Sequence, residues 1–62
     1  MRNFYDIQQL LKSYGIVVYM KDRRHYLDLV DFEVRELYKR ELIPQKEFLL
    51  AISIINQERQ YS

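Results

Sequence analysis

The stretch YMKDRRHY, residues 19–26, gathers the side chains of this sequence that are best suited to binding an anion. Lys21, Arg23 and Arg24 lie between two tyrosines, Tyr19 and Tyr26. Lysine and arginine bind phosphate, and a tyrosine ring offers a face on which an unpaired base stacks. Lysine and arginine side chains at the start of a helix interact unfavourably with its macrodipole, so these residues bring no evident folding benefit. The pattern therefore predicts a local phosphate-binding site.

The same stretch also has a purely structural interpretation. Arg24 and Asp28 are four residues apart and can pair along a helix. Tyr26 falls on an apolar stripe, where its ring would be buried. A short charged loop is then simply solvated. From the sequence alone, both interpretations remain open.

Other chemistry finds little support in the residue types and their spacing. His25, Asp28 and Asp31 could ligate a metal, but bundle metal centres need ligands from several helices. The chain has one histidine, no cysteine and no glycine-rich loop, so neither a thiolate zinc site nor a nucleotide-phosphate loop is present. So short a chain has little room for a concave pocket. We expect no enzyme activity, metal, cofactor or small-molecule substrate.

Length and composition indicate a single small domain spanning residues 1–62. Ten basic and nine acidic residues give a net charge of +1, so any basic site is local rather than global. No apolar run reaches the length of a signal-peptide core or a membrane span, and the absence of cysteine fits a reducing compartment. The sequence therefore predicts a cytoplasmic protein without a membrane partner.

Apolar periodicity predicts an all-α protein, a compact three-helix bundle with helices at about 3–14, 22–41 and 44–59. Asn3 and Asp22 are N-cap candidates, Gly15 suits a left-handed residue after the first helix, and Pro44 suits a first helical position. The segment GIVVYM between the first two helices is interpreted as an extended connector that covers the core. The predicted core-facing stripes are Phe4, Ile7, Leu10, Leu11 and Tyr14; Tyr26, Leu27, Val30, Val34, Leu37 and Tyr38; and Phe48, Ala51, Ile52 and Ile55.

Some apolar residues lie off these stripes. Leu29 and Phe32 fall opposite the core stripe of the second helix, and Leu50 and Ile54 lie away from that of the third. They either complete a wide core or form a face for a protein partner or a homodimer.

Three segments resemble the YqgQ-like family of small Gram-positive bacterial proteins: FYDIQQLLKSYG at 4–15, YLDLVDFEVRELYKRELI at 26–43 and FLLAISIINQE at 48–58. The opening segment is the most specific, and the resemblance covers nearly the whole chain. It implies a cytosolic three-helix bundle of a largely uncharacterised family without an assigned enzyme activity, for which surface features have suggested binding of single-stranded nucleic acid. Tyr5, Tyr14, Tyr19 and Arg23 are the positions that match aromatic and basic points of the family.

Two functional hypotheses follow. The first is a non-enzymatic binder of single-stranded RNA or DNA, in which Lys21, Arg23, Arg24 and Lys12 contact phosphates and Tyr19 or Tyr5 stacks on bases. The second is a protein-interaction or dimerisation module that uses Leu29, Phe32, Leu50 and Ile54.

Overall fold

The computed structural model describes residues 1–61, so Ser62, the last residue of the predicted domain, lies outside the described residues. It is a three-helix bundle, as predicted, with α1 at Phe4–Ser13, α2 at Arg23–Lys39 and α3 at Gln45–Gln60. Each boundary differs from its sequence prediction by one or two residues. Within residues 1–61 no helix is long and apolar enough to cross a membrane.

The helix starts follow from their capping residues. The Asn3 side chain accepts from the Asp6 backbone N–H, and the Asp6 carboxylate accepts from the Asn3 N–H, which completes a capping box. The Asp22 carboxylate accepts from the N–H groups of Arg24 and His25. Pro44 occupies the N-cap of α3 instead of its first helical position, so that helix begins at Gln45.

Helices α1 and α2 end in the same way. After α1, Gly15 adopts φ 75°, its N–H donates to the Lys12 carbonyl, and the Ile16 N–H donates to the Leu11 carbonyl. After α2, Glu41 and Leu42 repeat this pattern, with Glu41 at φ 61°. Both are Schellman motifs, which satisfy carbonyls that the helix end leaves without partners. The glycine was expected at such a position, whereas the glutamate was not.

The helix directions explain the connector between α1 and α2. Phe4 at the start of α1 lies 6.0 Å, between ring centroids, from Tyr26 near the start of α2. At the other end, the Tyr14 hydroxyl donates to the Leu42 carbonyl just beyond α2. Helices α1 and α2 therefore run in the same direction, and residues 15–21 must return along the length of α1. Only an extended chain covers that distance in so few residues.

The core is the set of side chains that the three helices and their connections enclose. Helix α3 runs antiparallel to α2, since Phe48 stacks on Tyr38 and Arg59 pairs with Asp28 and Asp31. Within residues 1–61 no polar side chain is buried. Ile43, which precedes Pro44, joins the core although it lies outside every helix. The buried residues are Phe4, Ile7, Leu11, Leu27, Val30, Val34, Leu37, Ile43, Ala51 and Ile55.

Candidate nucleic-acid interface

The structure places the three basic residues of the predicted phosphate site in different environments. Arg23 is held by both neighbouring helices: its Nη2 donates to Glu58 Oε2 at 2.6 Å, and its guanidinium lies 5.3 Å from the Phe4 ring centroid and 5.6 Å from that of Tyr26. These contacts pair Nη2 with a carboxylate and place the flat face against two rings, which leaves less of the guanidinium for a phosphate. Arg23 therefore joins α2 to α1 and α3 through these side-chain contacts.

Lys21 and Arg24 remain available as cations. Both are exposed, and neither makes an ion pair with any of residues 1–61. Arg24 does not form the pair with Asp28 that helical spacing suggested; the Asp28 carboxylate instead accepts from Arg59, on α3, at 2.6 Å.

The backbone at the start of α2 does not add a phosphate site. Two of its N–H groups already donate to the Asp22 carboxylate, and these bonds, from His25 first and then Arg24, lower the pKa of Asp22. A bound phosphate would have to displace an intramolecular carboxylate. Anion contacts at this end must come from side chains.

Asp28 and Asp31, whose spacing suggested metal ligands, have cationic partners. Arg59 donates to both Asp28 and Asp31, which raises its own pKa, with the hydrogen bond to Asp28 as the largest cause. Arg35 also pairs with Asp31. In the part of the chain that the structure describes, no group of three or more potential ligands could hold a metal ion.

The connector divides the surface between α1 and α2 into two grooves. Ile16 and Val18 are half-buried against the core, whereas Val17 and Tyr19 are about 80% exposed. The groove on the α1 side has a volume of about 390 Å³ and is lined mainly by Gln8, Gln9, Leu11, Lys12, Ile16, Val17, Val18 and Tyr26. The groove on the α2 side, of about 320 Å³, is lined by Ile16, Val17, Val18, Tyr19, Leu29 and Glu33.

The α1 groove is lined by polar residues that lie outside the stretch YMKDRRHY. Gln8 and Gln9 lie between Tyr5 and Lys12 on one face of α1, at helical spacing. The Gln8 amide donates to the Tyr26 hydroxyl at 2.8 Å, which fixes one wall of the groove. Tyr5 is 62% exposed, as its position off the core stripe predicts. The two adjacent glutamines of QQLLK are the sequence signal that indicates this groove.

The four residues of the predicted interaction face do not form one surface. Asp31 points toward α3, since it pairs with Arg59, and Leu29 lies 200° away around α2 because it is two residues earlier. Leu29 therefore lies on the side of α2 away from α3 and lines the groove beside the connector, whereas Phe32 lies 100° from Asp31 and is exposed. Leu50 is exposed on α3, while Ile54 packs against the core.

These features define a small all-α protein built around capped helices, with its exposed chemistry on the α1–connector side. The sequence model of the YqgQ-like family matches residues 1–61, so the chain belongs to this family. It is 36% identical over 58 residues to a Bacillus subtilis (strain 168) protein named "Uncharacterized protein YqgQ". That alignment covers 94% of this chain and 82% of the relative.

Proposed function

We propose that this chain is a non-catalytic cytoplasmic protein that binds single-stranded nucleic acid in the groove between α1 and the connector. One observation carries the proposal: the groove is lined by two glutamines and a lysine, and the exposed Tyr5 continues the same face of α1. The exposed Tyr19 belongs to the connector that forms the other wall, on its α2 side. Tyr5 and Tyr19 provide faces for stacking, worth about 1–3 kcal/mol per base. Glutamine amides provide donors and acceptors for the base edges that a single strand exposes.

Charge favours the α1 groove over the α2 groove as the path of the strand. Lys12 lines the first, whereas Glu33 lines the second and would repel phosphates. Lys21 and Arg24 extend the positive charge toward the start of α2. We assign the phosphate contacts to Lys12, Lys21 and Arg24, and leave Arg23 in its structural role.

Fluorescence anisotropy with labelled single-stranded RNA and DNA tests this proposal. Three phosphate contacts predict a slope of about −2 for the logarithm of the binding constant against the logarithm of salt concentration. Replacing Lys12 and Arg24 by alanine should remove most of the binding and flatten the slope, and Tyr5→Ala should weaken binding by on the order of tenfold. Lys46→Ala, an exposed cation on α3, serves as the matched control.

Absence of binding at low salt would contradict the proposal. Equal losses for Lys46→Ala and for the Lys12 and Arg24 double variant would also contradict it, since they would show attraction by charge alone. Binding that is insensitive to salt would exclude phosphates as the main contacts.

A second candidate is a protein-interaction module. Leu29 is 41% exposed and Phe32 is 56% exposed, and at i and i+3 their side chains are neighbours on the surface of α2. Exposed apolar residues that adjoin one another are typical of interfaces. Leu50 and Ile54 do not extend this patch, so only its α2 half supports an interface.

A further inference from the structure

The surface of α2 that carries the exposed Leu29 and Phe32 also carries two carboxylates, those of Glu33 and Glu36. Each of the four residues lies three or four positions from two of the others, so their side chains adjoin on the helix surface. Leu29 and Glu33 also line the groove of about 320 Å³ beside the connector. Together the four residues form one continuous surface, the α2 face.

The two carboxylates of the α2 face make no ion pair with any of residues 1–61. The other two acids of α2, Asp28 and Asp31, both pair with Arg59. Arg40 follows Glu36 at the spacing of a helical ion pair, yet the two do not pair. Because like charges one turn apart on a helix repel each other, the carboxylates of the α2 face bring no evident folding benefit.

We propose that the α2 face binds a basic amphipathic helix of another protein. The inference rests on the second function proposed above, the protein-interaction module, and states the chemistry of its partner. An apolar side chain of the partner packs on Leu29 and Phe32, and a lysine or arginine one turn away pairs with Glu33 or Glu36. Residues one turn apart adjoin on any helix, so such a partner matches the pattern on α2.

Charge decides between the possible occupants of the α2 face. Two carboxylates without cationic partners repel a phosphate backbone, so this face disfavours nucleic acid. A purely apolar segment would bury those carboxylates without a counter-charge, which is costly. A cation in the partner removes that cost, and opposite charges also speed the encounter of two proteins.

Cations of this chain limit the basic stretch that the α2 face accepts. Lys39 and Arg40 follow Glu36 by three and four residues, and both are exposed. They would repel a cation placed beyond the carboxylates. The partner is therefore a helix with a short basic stretch flanked by apolar residues, rather than a long run of cations.

Fluorescence anisotropy with labelled peptides tests the proposal on the full chain. The probe is a peptide of repeated Leu-Lys-Lys-Leu units, which forms a helix with leucines on one face and lysines beside them. Two comparison peptides replace its leucines by alanine or its lysines by glutamate. The leucine–lysine peptide should bind most tightly, because only this peptide supplies both the apolar and the cationic contact.

Paired substitutions of glutamate test the charge of the face. Replacing Glu33 and Glu36 together by glutamine should weaken binding of the leucine–lysine peptide by on the order of fivefold, since exposed ion pairs contribute modestly. Replacing Glu41 and Glu47, two exposed carboxylates outside the α2 face, removes the same charge and should leave binding unchanged. Equal losses for the two pairs would overturn the proposal, because they would show attraction by net charge alone.

Substitution of an apolar residue tests the other half of the contact. Phe32→Ala should weaken binding by on the order of tenfold, as loss of an aromatic anchor does at interfaces. Leu49→Ala, at comparable exposure on α3, should leave it unchanged. An alanine–lysine peptide that binds as tightly as the leucine–lysine peptide would overturn the apolar contact and the proposal with it.

The remaining outcomes separate this proposal from the functions on which it bears. Tight binding of the leucine–glutamate peptide that Phe32→Ala abolishes would overturn the basic partner but leave the interaction module standing. Absence of binding by all three peptides would overturn the proposal and the module, and would leave nucleic-acid binding in the α1 groove unaffected. If sedimentation shows that the chain alone associates through Phe32, a second copy covers the α2 face and the proposal fails.

Discussion

Glu41 adopts a backbone conformation that an L-residue occupies at a cost. It lies at φ 61° in the Schellman motif after α2, where Gly15 occupies the same position after α1 at φ 75°. The left-handed conformation costs a residue with a Cβ roughly 1–2 kcal/mol, part of which glycine recovers. The motif persists because its two backbone hydrogen bonds and the burial of Ile43 just beyond it fix the turn.

Glu41→Gly should therefore stabilise the protein by about 0.5–1 kcal/mol, since glycine adopts this conformation without steric cost. For a chain of this size, about 1 kcal/mol raises the melting temperature by roughly 4–8 °C. Gly15→Ala is the opposite control: no atom lies within 4 Å of an added Cβ, so its destabilisation reports the backbone alone. Thermal unfolding by circular dichroism that shows a lower melting temperature for Glu41→Gly would contradict this account.

The Asp22 cap gives the stability of α2 a defined pH dependence. Hydrogen bonds from the backbone N–H of His25 and of Arg24 lower its pKa below that of the unfolded chain. Its ionised form therefore stabilises the folded state above the unfolded pKa, and this contribution is lost as pH falls through the folded pKa. The relevant window lies below about pH 4.

Asp22→Ala should lower the melting temperature clearly at neutral pH and much less at about pH 2.5, where the wild-type carboxyl is increasingly protonated. Asp22→Asn keeps an uncharged capping oxygen, so its melting temperature should lie between the other two at neutral pH. Asp6 also has a lowered pKa, chiefly through the Arg2 N–H, but it is common to all three proteins and cancels in the comparison. A gap between wild type and Asp22→Ala that is constant with pH would show that the charge of the cap is irrelevant.

At the scale of the elements, the parallel course of α1 and α2 sets the rest of the architecture. It requires a crossover where an ordinary bundle has a tight turn. Two junctions hold the start and the end of this crossover: the Tyr14–Leu42 hydrogen bond and the contacts of Arg23.

Arg23→Ala should destabilise the protein by about 1 kcal/mol, because it removes an ion pair and a cation–π contact that join α2 to α3 and α1. Arg24→Ala, the adjacent exposed arginine, should change the free energy of unfolding by less than about 0.5 kcal/mol. Urea unfolding of the two variants makes the comparison. Equal effects would mean that Arg23 is as dispensable as its neighbour.

Local signals allowed most of the elements to be predicted. The apolar stripes and the residues Asn3, Asp22 and Gly15 placed three helices within one or two residues of their observed ends. Such signals depend on neighbours a few residues apart, which helical geometry brings together.

The details that sequence could not supply depend on how the helices pack. Asp28 pairs with Arg59 instead of Arg24, and Arg23 of the basic stretch pairs with Glu58. Ile43 is buried because the turn before α3 folds onto the core. Each of these contacts joins residues far apart in the chain, so no local sequence pattern predicts it. The direction of α1 relative to α2 could not be predicted from local patterns either. An extended connector long enough to return along α1 is nevertheless what parallel helices require.

At the scale of the whole molecule, the two sides of the connector differ in character. The α1 side carries glutamines and Lys12, and the α2 side carries Leu29 and Glu33. Lys12 on the α1 side would attract a phosphate, whereas Glu33 on the α2 side would repel one, so the two sides favour different ligands.

The extended connector between α1 and α2, with its exposed Val17 and Tyr19, also affects how readily proteases cleave the chain. An exposed, extended segment is a preferred place for proteolytic cleavage. A cut after Tyr19 would sever α1 from the α2–α3 hairpin and take Phe4, Ile7 and Leu11 from the core. The hairpin that remains would expose the apolar stripe that α1 had covered. Whatever covers this segment therefore also protects the protein from degradation.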